Sequence, residues 1–163
     1  MKKFPCPKIF LLLVISIVLA FSSCKKEEDE PDFVGTWSIT YDFFSTEMKN
    51  VLKLSASSFE SVYKMKDSSL VYIDFIGIKG SLSAKGDLLT FNINSVGITN
   101  PLTGKLQYTN KGELGFEDML GDMEETFTVK YQVSSNKLTL SYDNDGDGIY
   151  GGENDVVETY TRD

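Results

Sequence analysis

Residues Phe33 to Phe43 read FVGTWSITYDF. In an extended chain Phe33, Gly35, Trp37, Ile39, Tyr41 and Phe43 share one face, and Thr36, Ser38, Thr40 and Asp42 share the other. Successive side chains of a strand point to opposite sides, so this period of two describes a strand with one buried face and one wet face.

The same period runs outward to the C-terminus. Leu52, Leu54 and Ala56 alternate, and after a two-serine turn so do Phe59, Tyr63 and Met65. SLVYIDFIGIKGSLSA is apolar on both faces from Val71 to Ile78, with Gly77 and Gly80 where a barrel strand can bend. AKGD predicts a turn, followed by Leu89, Phe91 and Ile93, then Leu106 and Tyr108. Phe127, Val129, Tyr131 and Val133 precede an SSNK turn, Leu138, Leu140 and Tyr142 follow it, and DVVETYTR closes the chain. Eight to ten short strands at hairpin spacing predict an all-β fold, an antiparallel barrel or sandwich. Only Gly115 to Thr126 suits a helical turn; Met119 and Met123 sit four apart there, and Gly121 keeps it short. KGSLSAKGDLLTFNI and VKYQVSSNKLTLSYD resemble each other, one hairpin pattern used twice.

Ahead of this pattern the chain changes character. MKKFPCPKIFLLLVISIVLAFSSC has basic Lys2, Lys3 and Lys8, an apolar run from Ile9 to Phe21, then small Ser22 and Ser23 before Cys24. These are the parts of a secretory signal, and the run is shorter than the ~20 residues a membrane-spanning helix needs. Small residues before a cysteine resemble a bacterial lipobox. That resemblance implies cleavage before Cys24 and lipidation of its thiol, with each acyl chain holding to a membrane by ~0.8 kcal/mol per buried CH₂. The organisation expected is therefore a lipoprotein signal at 1–23, a lipidated cysteine and charged tether at 24–32, and a barrel domain at 33–163. KKEEDEPD, Lys25 to Asp32, has no apolar residue with which to join a core. It resembles the surface-export signal of Bacteroidetes lipoproteins, which implies the outer membrane, lipid-anchored and facing the cell surface; a plain spacer on a periplasmic lipoprotein is the alternative.

Composition narrows the chemistry. The chain has two cysteines, Cys6 in the signal and Cys24, so the mature protein keeps no free thiol. Histidine is absent, and with it the commonest general base and metal ligand. Net charge is −8, and losing the signal's three lysines takes it to −11. So acidic a surface repels nucleic acid. No Gly-x-Ser-x-Gly elbow and no phosphate-cradling glycine loop occur. The expectation is a non-enzymatic protein, and a monomer.

VGTWSIT resembles the Gly-x-Trp opening strand of the lipocalin and related calycin families. The match is closest to the lipocalin-like domains of Bacteroidetes lipoproteins, through Gly80 to Phe91 and the Lys-Leu-Thr-Leu strand Lys137 to Leu140. The resemblance covers Phe33 to Asp163. It implies an up-and-down β-barrel in which Trp37 packs across the base beneath Arg162, the chain's lone tryptophan under its lone arginine. It also implies a ligand-holding or interaction domain without catalysis.

Two site expectations remain. In SYDNDGDGIYGGENDVVETY, Asp143, Asp145 and Asp147 stand two apart with Gly148 after them, like the start of a calcium loop. The position of the usual bidentate Glu is Asn154, with Glu153 and Asp155 on either side as substitutes. Structural calcium is one reading and a polar turn the other, since Asn-Asp-Gly runs are ordinary turn formers. For a small hydrophobic or amphipathic ligand, the inward aromatics predicted are Tyr41, Phe59, Tyr63, Tyr72, Phe91, Phe127, Tyr131 and Tyr142. The competing outcome is that these residues fill the barrel, leaving a surface interaction or glycan-binding module.

Overall fold

The computed structural model describes residues 30–163; the expected signal 1–23, Cys24 and the tether up to residue 29 lie outside the described residues. The strands are β1 (Gly35–Phe43), β2 (Thr46–Leu54), β3 (Ser58–Lys66), β4 (Tyr72–Lys85), β5 (Leu88–Asn100), β6 (Lys105–Asn110), β7 (Thr126–Ser134), β8 (Lys137–Tyr142) and β9 (Val157–Arg162). One short helix, α1 (Phe116–Leu120), precedes β7.

Every pairing is antiparallel. The sheet runs β4-β3-β2-β1-β9-β8-β7-β5-β6, and β4 also pairs with β5. That extra pairing closes eight strands into a barrel of calycin-like form and leaves β6 outside the ring. β5 divides its free edge: Leu88 to Asn92 pair with β7, and Ser95 to Asn100 pair with β6. Closure removes the exposed sheet edges that an open meander would present.

The two ends of the barrel differ. At one end the connections are tight. Ser55 accepts the Ser58 N–H at 2.9 Å, Gly86 turns at φ 63°, and Ser135 turns at φ 59°. Phe33 and Trp37 close this end. The Trp37 indole N–H donates to Phe33 O at 2.8 Å, and the Arg162 guanidinium lies 4.3 Å from the Trp37 ring centroid. The segments 67–71, 101–104, 111–125 and 143–156, together with the β1–β2 turn, gather at the other end.

The core lies along the inward face that the alternation marks. Trp37, Leu89, Phe91, Val129, Leu138, Leu140 and Tyr160 are all buried. Each large apolar side chain so buried contributes roughly 1.5–3 kcal/mol. The helix adds Phe116 and Leu120, both buried, whereas Met123 is exposed. The packed pair is thus Phe116 and Leu120, and Gly121 ends the helix at φ 60°. Gly80 sits where the β4–β5 register shifts; a Cβ there would come within 1.9 Å of Asn92 O, so the bulge requires glycine. At Gly77 a Cβ would meet the Tyr108 hydroxyl at 2.4 Å, because the β6 tyrosine lies across the glycines of β4 and β5.

Candidate functional site

A cavity of about 560 Å³ occupies the loop-bearing half of the barrel. Leu52, Ile78, Ile93 and Leu140 line its depth, and Met123, Glu124, Asp143, Asn144 and Tyr150 stand at its mouth. Its walls are aromatic. Phe91 stacks on Phe127 at 5.0 Å and meets Phe59 edge-on at 4.9 Å, and Phe127 stacks on Tyr142 at 6.3 Å. The register produces this: Phe91 is directly opposite Phe127, and Val129 opposite Tyr142, on faces that all turn inward.

Five of the eight predicted aromatics line the cavity: Phe59, Tyr63, Phe91, Phe127 and Tyr142. The structure places the other three elsewhere. Tyr41 is on the part of β1 that runs past the core and is 37% exposed. Tyr72 is held on the outer face by a hydrogen bond to Glu47, which also takes Lys66 at 2.9 Å. Tyr131 faces inward at the closed end, edge-on to Phe33 at 5.3 Å.

A polar chain crosses the interior that the aromatic pattern does not reveal. Ser61 donates to Asn50 Oδ1 at 3.0 Å, and Asn50 Nδ2 donates to the Tyr160 hydroxyl at 3.2 Å. The hydroxyls of Tyr160 and Tyr142 both donate to Glu158 Oε2, at 2.9 and 3.0 Å. Asn50 and Ser61 are buried, and these bonds satisfy them. Burial, and then the Glu158 charge, push the Tyr63 phenol up to about 12. The same two causes raise Tyr142, Tyr160 and, more mildly, Tyr41. The signal for Glu158 was present in DVVETYTR: with Arg162 turned inward over Trp37, Tyr160 and Glu158 share its face.

The acidic loop lies at the same end. Asp143, Asp145 and Asp147 bring one carboxylate oxygen each within 4.8 Å of one another. Their oxygens also bind the loop's own backbone. Asp143 accepts the N–H groups of Gly146 and Gly148 at 2.8 and 2.9 Å, and Asp147 accepts that of Ile149 at 2.7 Å. Asp155 is outside the cluster. It accepts the N–H groups of Asn144 and Gly152, which hold its carboxyl below the usual range. Glu153 does not join the cluster either. The arrangement suits a hard cation and a self-capped turn alike.

No protein-family model matches the chain, and no curated protein matches it.

Proposed function

We propose that this chain is a lipocalin-like lipoprotein of the Bacteroidetes type, anchored in the outer membrane through Cys24. Its barrel holds a small hydrophobic or amphipathic ligand and performs no catalysis. The cavity carries this reading: about 560 Å³ lies within the ~300–1,000 Å³ usual for small-molecule sites, and its walls are aromatic with a few polar groups at fixed places. The interior hydroxyls and the Glu158 carboxylate orient what the rings bury. The acidic surface makes nucleic acid an unfavourable partner, and the protein acts as a monomer. Calcium at Asp143, Asp145 and Asp147 has a structural role in this reading, stiffening the loop beside the mouth.

The test uses the full-length chain in mild detergent micelles, with a fluorescent hydrophobic probe titrated in and lipids or sterols as competitors. Saturable, displaceable binding is expected, as is a co-purified mass in native mass spectrometry. Phe127→Ala removes a ring stacked against two others and should weaken the probe about tenfold, in line with the ~0.5–1.5 kcal/mol of such contacts plus lost apolar area. Neither probe binding nor a bound mass would leave the reading without support.

A second reading, a surface interaction or glycan-binding module, is favoured by one observation. Phe43, Phe44, Leu70, Val71, Leu102 and Ile149 are all exposed on the loop-bearing end. Phe44→Ser should leave the fluorescent probe bound and abolish partner or glycan capture if that surface is the functional one.

A further inference from the structure

Resting on the ligand-binding reading above, we propose that the cavity takes an amphipathic cation: an aromatic or aliphatic body carrying an ammonium group, rather than a fatty acid or another anion.

The lining chemistry points this way. The charged side chains on the cavity wall are Glu124 and Asp143, and among the described residues no lysine or arginine lines it. Glu158 lies one hydrogen bond behind the wall, tied to Tyr142 and Tyr160. Its charge is felt at several phenols, which resist ionisation for that reason as well as for burial. An entering carboxylate would meet the same field that opposes a phenolate. A cation would meet the opposite sign, inside a wall of aromatic rings stacked on one another.

The basic groups able to neutralise this field are placed elsewhere. Lys111 pairs with Glu125, Lys66 with Glu47 and Lys64 with Asp74. Arg162 is at the closed end, over Trp37 and donating to Asp32 O at 2.8 Å. A site for fatty-acid head groups needs a cation near the mouth or in the depth, and the wall supplies carboxylates instead. The whole chain reinforces this sign at longer range, with a net charge of −8.

Three probes with one skeleton test the inference by calorimetric titration of the full-length chain: phenylbutyl-trimethylammonium, phenylbutanol and phenylbutyrate. The ammonium is expected to bind at least about tenfold tighter than the carboxylate, with the alcohol between them and the gap narrowing as salt is added. Glu124→Gln and Glu158→Gln should each reduce the ammonium-to-alcohol affinity ratio about threefold or more. The amide introduced by Glu158→Gln keeps a carbonyl oxygen for the two tyrosine hydroxyls, and a ratio is insensitive to the fraction of protein folded. Equal affinities for all three probes, a carboxylate that binds best, or a ratio unchanged in both variants would overturn the cation preference while leaving a ligand-binding barrel. Failure of all three to bind would remove the binding reading and this inference with it.

Discussion

Tyr63, Tyr142 and Tyr160 turn their hydroxyls into the barrel around one carboxylate, and each phenol is held in its neutral form. The consequence for stability has a definite sign. In the unfolded chain tyrosine ionises near 10, whereas Tyr63 in the fold is pushed up to about 12. Below pH 10 both states keep the proton and stability is intact. Between 10 and 12 the unfolded chain releases protons that the folded chain retains, so stability falls as pH rises. Tyr63 alone is worth on the order of 2 kcal/mol across that window. Parallel titration of tyrosinate absorbance and strand circular dichroism should show the exposed phenols ionising first. The buried ones should ionise only as the strands melt; smooth ionisation of all eight tyrosines near 10 with the fold intact would contradict this placement. The sequence makes these residues legible unevenly. Tyr63 and Tyr142 fall on an inward face by simple alternation. Asn50 and Ser61 do not advertise themselves, because a polar residue on an apolar face becomes visible only once its partners on other strands are known, and Glu158 is legible only by counting back in twos from Arg162.

At the scale of elements, the β8–β9 connection behaves as a self-capped turn whose carboxylates converge. Asp143 and Asp147 accept backbone N–H groups, and Asp145 accepts the Asp147 N–H at 3.3 Å and Asn154 Nδ2 at 3.3 Å. Three like charges this close repel, and a hard cation would relieve them. Millimolar calcium is therefore expected to raise the melting temperature by a few degrees, since binding to the folded state alone stabilises by mass action. Asp145→Asn should cancel that rise in scanning calorimetry with and without chelator. An equal rise in the variant would assign the effect to calcium elsewhere. The strands themselves were readable because a period of two is a direct image of a two-faced sheet. β4 blurred the pattern for a physical reason: its first residues run past the core, with Ile73 and Phe75 exposed, and it pairs with β5 only from Ile76 onward. β6 reads like any other strand, and nothing local to it says that it pairs outside the ring. The helix resolves on the Phe116 and Leu120 spacing: both are buried, Met119 packs partly buried against the core, and Met123 is exposed.

Considered as a whole molecule, the barrel is held shut by its shortest seam. β1 pairs with β2 through nine register positions, from Gly35 to Phe43, but with β9 through two, Trp37–Arg162 and Ser38–Thr161. The cavity volume was not legible in the sequence, because alternation marks which residues turn inward and not how much space they leave. The end of the chain supplies what the ladder lacks. Arg162 stacks on Trp37 and donates to Asp32 O at 2.8 Å, the Asp163 N–H donates to Thr36 O at 3.0 Å, and Ser38 Oγ donates to the Asp163 carboxylate at 2.5 Å. Arg162→Ala removes the stack and one charge-assisted hydrogen bond, so a loss of about 1–3 kcal/mol is expected in urea denaturation. Arg162→Lys keeps the charge without the planar guanidinium and should recover only part of that loss. Hydrogen exchange separates seam loosening from general destabilisation: in Arg162→Ala the β1 and β9 amides facing each other should lose protection first, while β2–β3 and β4–β5 stay protected. If protection falls uniformly, the seam is no weaker than the rest of the ring. If it falls at the seam, each opening exposes two sheet edges, and the variant should also associate with itself as protein concentration rises.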